Sequence, residues 1–272
     1  MTLEKLLEGV VLPIDKPRQW TSFQAVNKVK AAIRSTYGIK KFKIGHAGTL
    51  DPLATGLLLI CVGKATKRID ELQAGEKVYT GTMVLGATTP CYDLERAIDH
   101  YYPYEHITLD LVADARKQFM GDIEQVPPIF SAVKIGGQRA YQYAREAVNG
   151  EEPPSPTPKT VHIEEFEITA FRKVESEKWI VDGLVDTTNS SQLSIFNSQL
   201  YKHPQGVVPQ HLPQIDFRIR CGKGTYIRSI ARDLGLTLNS GAFLSALRRE
   251  QVGDYSLADA ISLDEVGSYL KD

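Results

Sequence analysis

Apolar and polar positions alternate, cluster or recur along this chain in ways that predict most of its elements. Residues 9–16, Gly-Val-Val-Leu-Pro-Ile-Asp-Lys, read as a short apolar strand broken by Pro13 and closed by a turn at Asp15-Lys16-Pro17. Thr21 or Ser22 then caps a helix in which Phe23, Val26, Val29 and Ile33 recur at the helical period. The run from Leu57 to Val62 is apolar throughout and reads as a buried helix or strand. Lys77 to Gly86 alternates as a strand, with Lys77, Tyr79, Gly81, Met83 and Leu85 on one face. Leu109 to Met120 reads as a helix. The segment from Gln125 to Gly137 cannot be one, because Pro127 and Pro128 block it. It predicts an extended stretch, a strand and a turn at Gly136-Gly137, followed by a helix from Ala140 to Val148 and an extended, Pro-rich connector over 153–158. Alternation predicts strands over 161–171 and 215–221. In the second of these, Ile215, Phe217, Ile219 and Cys221 point inward and Arg218 and Arg220 outward. A helix opens near Thr225 and ends at a glycine cap, Gly235. Residues 242–249 form a short helix or strand with a basic end, and Ser262 to Leu270 a last small helix. Residues 174–213 are rich in Ser, Gln, Asn and Thr and lack a helical repeat. They read as an inserted loop with strands at 179–185 and 193–196.

Composition narrows the class. The 272 residues are 42% hydrophobic and 24% charged, enough for one large core or two small ones. No run approaches the ~18 apolar residues of a membrane span. The first residues carry Glu4 and Glu8 and lack an apolar signal core, so a cytoplasmic protein is expected. Cys61, Cys91 and Cys221 are scattered without CxxC spacing, which argues against a zinc site or a disulfide scaffold and fits a reducing compartment. With a net charge of −1, a polyanionic partner would have to be met by local basic patches. Three clusters qualify: Lys28 to Lys43, Lys64 to Arg68, and Arg248-Arg249. The first of these also reads as an ordinary solvated helix face. No HExxH spacing or Gly-x-Ser-x-Gly elbow is present, and Gly222-Lys-Gly is too short for a phosphate-binding loop.

The most constrained stretch is Gly45-His-Ala-Gly-Thr-Leu-Asp-Pro-Leu-Ala-Thr-Gly-Leu-Leu58. It places one carboxylate, Asp51, on a tight Gly/Pro turn at the edge of an apolar run. Such a turn either positions a functional group or lets Asp51 cap a following element, with Pro52 at its first position. A buried carboxylate needs a positive partner to stay ionised. Arg228, beside a Gly-bounded turn at a helix start, is the most constrained arginine.

These residues resemble the TruB family of pseudouridine synthases. The Gly45–Leu58 stretch is similar to the family's catalytic motif. The resemblance continues through Asp15-Lys16-Pro17, Lys77-Val-Tyr79, Gln125 to Ala132, Gly222 to Arg228 and Leu247-Arg-Arg249, in the family's order. It implies an α/β (α+β) fold, with a mostly antiparallel mixed sheet flanked by helices. It implies isomerisation of uridine 55 in the T-arm of tRNA after base flipping, with no cofactor, no metal and no obligatory protein partner, by a monomer. In the implied site Asp51 is the nucleophile, attacking the uracil ring or the ribose. Arg228 pairs with it, and Tyr79 stacks on the uracil where a proton is exchanged. His46 touches the RNA beside the flipped nucleotide, and Tyr226 and Leu247 line the uracil pocket. Lys43, Lys64, Arg248 and Arg249 become candidate phosphate contacts. The resemblance covers one catalytic domain over 1–272 with an insertion at about 174–213. About 20 residues follow Gly253, too few for the RNA-binding domain of the PUA type that many relatives carry. The Thr88 to Asp93 loop departs from the relatives' acidic loop. Two other readings stand beside this one: a guide-RNA-dependent synthase of the dyskerin type acting on ribosomal RNA, and a tRNA-folding chaperone whose catalysis is incidental.

Overall fold

A computed structural model describes residues 1–131, 133–140, 142–143, 154–173 and 207–271. In chain order the elements are helix α1 (Leu3–Gly9), strand β1 (Val10–Lys16), α2 (Ser22–Tyr37), β2 (Ile44–Ala47), β3 (Thr55–Val62), α3 (Ile69–Ala74), β4 (Lys77–Leu85), β5 (Ala87–Thr88) and β6 (His100–Tyr101). They continue as α4 (Leu109–Ala115), β7 (Gly121–Gln125), β8 (Lys134–Ile135), β9 (Gln138–Arg139), β10 (Lys159–Arg172) and β11 (Gln214–Cys221). The last are α5 (Ile227–Thr237), β12 (Ala242–Val252), β13 (Tyr255–Ser256), β14 (Ile261–Ser262) and α6 (Val266–Tyr269). The large sheet follows the order β14-β1-β3-β12-β4-β11-β10-β7, with β2 also on β3 and β13 also on β12. It is mixed and mostly antiparallel, as expected. β1–β3, β2–β3, β7–β10 and β12–β13 are antiparallel, while β1–β14 and β3–β12 are parallel.

The chain divides into two compact units. The first comprises Met1–Thr80, Arg218–Gly224 and Ala246–Asp272; the second comprises Gly81–Phe217 and Thr225–Ser245. In the first, β3 is buried along almost its whole length, which settles the Leu57–Val62 run as a strand. Its neighbours supply the reason: β1 runs beside it from Val10↔Val62 to Lys16↔Gly56, and β2 adds a further pairing from Ile44↔Val62 to Ala47↔Leu59. Strands buried on all sides read as continuous apolar runs. In the second unit, Phe119, Phe166 and Phe217 stack edge to face at centroid spacings of 6.4 Å.

Several expectations are corrected by packing. β1 runs unbroken through Pro13, which pairs with Leu59. Its other neighbour, β14, reaches only Ile14 and Asp15, so no ladder there depends on a Pro13 N–H. Phe23 is 69% exposed rather than on the buried stripe of α2, where Ala25 joins Val26, Val29 and Ile33. Thr21 is the helix cap, in a reciprocal capping box with Gln24. Gly235 does not end α5. The helix continues to Thr237, and a Cβ at residue 235 would lie 2.5 Å from the Ala242 nitrogen, so glycine is required there by close packing. The 242–249 segment is a strand. The Leu109–Met120 helix gives way to a 3-10 turn at Arg116, and the last helix is confined to Val266–Tyr269 because Ile261 and Ser262 join β1 as β14. The β8–β9 hairpin turns at Gly136-Gly137 as expected. Most of the Ala140–Val148 helix and both strands of the 174–213 insertion lie outside the described residues. Among the described residues, no helix is long and apolar enough to cross a membrane.

Candidate active site

Asp51 stands on a turn, not at a helix cap, because the chain passes from it directly into β3. The Ala54 N–H donates to the Asp51 carbonyl at 3.1 Å, closing that turn. Ser22, the first residue of α2, is buried and grips the residue before Asp51 twice. Its hydroxyl accepts from the Leu50 N–H at 2.9 Å and donates to the Leu50 carbonyl at 3.1 Å. On the other side the Gln19 N–H donates to the Pro52 carbonyl at 2.8 Å. Gly56, with φ +96°, lets β12 approach. A Cβ there would lie 2.4 Å from the Arg249 carbonyl oxygen.

Two cations complete this clamp from inside. Lys16 is fully buried, and its ammonium donates to the carbonyls of Pro17 at 3.1 Å, Trp20 at 2.6 Å and Pro52 at 3.4 Å. Burial lowers its pKa from 10.5 to about 8, against the opposing pull of the Asp51 carboxylate. Arg249 is 1% exposed. Its Nε donates to the Leu57 carbonyl at 2.8 Å and its Nη2 to the Gly48 carbonyl at 3.1 Å. This corrects the expectation of a phosphate contact. The register pairs Arg249 with Gly56 inside the sheet, so its guanidinium is spent on main-chain carbonyls instead of facing solvent.

Tyr79 is buried beside these groups on β4. Burial raises the pKa of its phenol and the Asp51 charge raises it further, whereas the Arg249 guanidinium, which also hydrogen-bonds it, pulls it down. Burial, then the Arg249 charge, lowers the His46 pKa below 6.5 and favours the neutral imidazole, with the Gly48 backbone opposing. The first unit thus brings Asp51, Tyr79 and His46 around Arg249 and Lys16. Leu247 is half-buried on β12 and accepts from the Thr55 hydroxyl through its carbonyl at 3.4 Å. Arg248 forks onto Asp15, with Nη2–Oδ2 at 2.7 Å and Nη1–Oδ1 at 3.2 Å. Lys43 and Lys64 are exposed, and the Gly63 N–H bond to the Lys43 carbonyl at 2.9 Å makes them neighbours.

The second unit holds Arg228 and Tyr226 at the start of α5. Arg228 is buried. It donates to the Cys91 carbonyl at 3.1 Å and the Phe130 carbonyl at 2.9 Å, and its Nε lies 3.7 Å from the Asp93 carboxylate. Asp93 is itself buried and accepts from the Glu95 N–H at 2.9 Å and the Cys91 thiol at 3.0 Å. That burial and the neighbouring Asp93 charge push the Cys91 thiol up to about 12. The side-chain amide of Gln125 bonds both peptide groups of Tyr226, at 2.8 and 3.2 Å, fixing the backbone ahead of Arg228.

Sequence reasoning missed Lys16, Ser22 and Asp93 as site residues. Lys16 had a signal: with Leu12 and Ile14 it falls on the buried face of a period-2 strand. Asp93 had none beyond its loop, because its partner lies far along the chain.

The sheet order and flanking helices define a pseudouridine-synthase fold. In a Cbf5–Nop10–Gar1 crystal structure this fold superposes on the chain with a TM-score of 0.61 at 24% identity, covering 99% of the chain and 57% of that protein. The chain therefore spans little more than half the length of that solved relative. "TruB family pseudouridylate synthase (N terminal domain)" matches residues 34–182, and "tRNA pseudouridylate synthase B C-terminal domain" matches residues 228–272. Curated relatives called tRNA pseudouridine synthase B are 49% identical in Flavobacterium johnsoniae, over 97% of this chain and 96% of the relative, and 45% identical in Phocaeicola vulgatus, over 97% and 94%. The chain belongs to the TruB family of pseudouridine synthases.

Proposed function

We propose that this chain converts uridine 55 in the T-arm of tRNA to pseudouridine, acting as a monomer in the cytoplasm. The observation that carries this reading is the Asp51 turn, a carboxylate on a backbone bonded on either side by buried groups and set beside a buried tyrosine. A base must leave the helical stack to reach such a group, at a cost of a few kcal/mol. Asp51 attacks either the ribose anomeric carbon or the uracil ring. The N1–C1′ bond breaks, the base turns, a C5–C1′ bond forms, the bond to Asp51 is released as its carboxylate, the C5 proton leaves to solvent and N1 takes up a proton. The product is an isomer, so atoms and electrons balance without oxidant or reductant.

In this reading Tyr79 stacks on the uracil at the proton exchange, His46 contacts the RNA, Leu247 meets the uracil, and Arg228 and Tyr226 keep the roles that the resemblance implies for them. Lys43, Lys64 and the outer part of Arg248 meet phosphates. Such shape-and-backbone contacts suit structured RNA. The test is tritium release from an unmodified tRNA transcript labelled at C5 of uridine, with modification mapped along the strand. Conversion at position 55 by the protein alone is expected. No release sinks the proposal, and release only with an added guide RNA favours the dyskerin-type reading. Rescue of tRNA folding in cells by Asp51→Asn would add a chaperone role.

A further inference from the structure

We infer that Arg249 is a positioning residue that holds the Asp51 turn and the Tyr79 hydroxyl in one arrangement. The inference rests on the reaction proposed above. Gly48 precedes Asp51 and Leu57 follows it, and one guanidinium bonds both carbonyls, at 3.1 and 2.8 Å. The span between them contains the whole turn. Arg249 is almost completely buried and has two further neighbours of consequence, Tyr79 and His46, whose acidities it changes. Lys16 and Lys77 are the other cations buried in the same unit, but each is tied to carbonyls near its own position or at Pro52. Arg249 instead joins the two flanks of the turn to β4, which carries Tyr79. A guanidinium presents its donors in a rigid planar fork, whereas an ammonium is a compact charge with rotatable donors that fixes orientation less.

In the reaction this bridge keeps the carboxylate and the phenol at a constant separation while the base detaches and turns. A displacement of about 1 Å in such a site costs about 100-fold in rate. A phosphate contact would behave differently, weakening RNA binding and lowering its salt slope by about one unit.

The experiment compares wild type, Arg249→Ala and Arg249→Lys by single-turnover rate, tRNA dissociation constant and salt slope. It adds amide exchange over residues 47–57 and absorbance titration of Tyr79 against a Tyr79→Phe background. Positioning predicts an Arg249→Ala rate about 100-fold lower, tRNA affinity and salt slope unchanged, faster exchange in the turn, and a Tyr79 pKa moved upward. Added guanidinium should restore part of the Arg249→Ala rate, and ammonium at equal ionic strength should not. Arg249→Lys should recover less than a tenth of the wild-type rate. Full activity in Arg249→Lys, a loss confined to affinity and salt slope, or turn exchange at the wild-type rate would each overturn the inference. Failure of both variants to fold would do so as well, by assigning the guanidinium to the core as a whole. If wild type forms no pseudouridine, the proposed reaction falls, while the exchange and titration results still decide whether Arg249 holds the turn.

Discussion

Around Asp51 the first unit bonds main-chain carbonyls with buried cations, whereas around Arg228 the second unit surrounds a buried cation with a carboxylate and two carbonyls. In the turn the side chains serve the backbone, and the carboxylate is what the arrangement presents. In the Arg228 cluster the backbone and Asp93 serve a side chain. The difference teaches where each site is vulnerable. The turn depends on many shared hydrogen bonds, each modest alone. The Arg228 cluster depends on a buried charge pair, where removing one partner is costly because the other charge stays buried.

The largest effect should come from Asp51→Asn. Removing the proposed nucleophile is expected to lower the single-turnover rate by more than about 10⁴-fold, with tRNA binding changed only a few-fold. Retained activity would show that the turn does not present the reacting group. Next, Asp93→Asn strips the Arg228 cluster of its carboxylate and should cost about 3–5 kcal/mol in urea unfolding. A cost under 1 kcal/mol would mean the Arg228 charge is balanced by other groups, erasing the contrast drawn above.

Ser22→Ala removes both bonds to Leu50 and should cost about 1–3 kcal/mol. It should also lower the rate with little change in affinity. A stability loss without a rate loss would separate the clamp from the chemistry. The last prediction concerns the pH dependence. Lys16 and Lys77 titrate near 8 in the folded chain against 10.5 ordinarily. Between those values the unfolded chain holds more protons, so stability should rise with pH from about 8 to 10.5, and below 8 both forms are charged and the contribution is flat. Lys16→Met should lower that slope by about half in denaturation curves taken across the window, with Lys77 supplying the rest. An unchanged slope would show that Lys16 is not held at a lowered pKa.

Much of the fold was legible because burial writes its period into strands. β4, β10 and β11 fall where alternation places them. Pro13 and Gly235 were misread because each was judged by local propensity. A neighbouring strand or its absence decides what a missing N–H or a missing Cβ does there. Phe23 keeps the helical period of its buried neighbours yet faces outward, since the period fixes spacing around a helix but not which residues a partner covers. The turn at Asp51 was legible but left its role open between a functional group and a helix cap, and Arg248 and Arg249 looked equivalent because both follow Leu247. In the structure one forks onto Asp15 and the other enters the sheet beside Gly56.

By itself the sequence determined the Asp51 turn, because glycine and proline act within a few residues, and the order of its motifs, whose resemblance to a family implied the class of the chain. Only the tertiary structure decided which cation supports which group. Lys16, Arg249 and Asp93 take their roles from carbonyls and charges brought close by sheet register and burial, and these contacts join positions far apart along the chain.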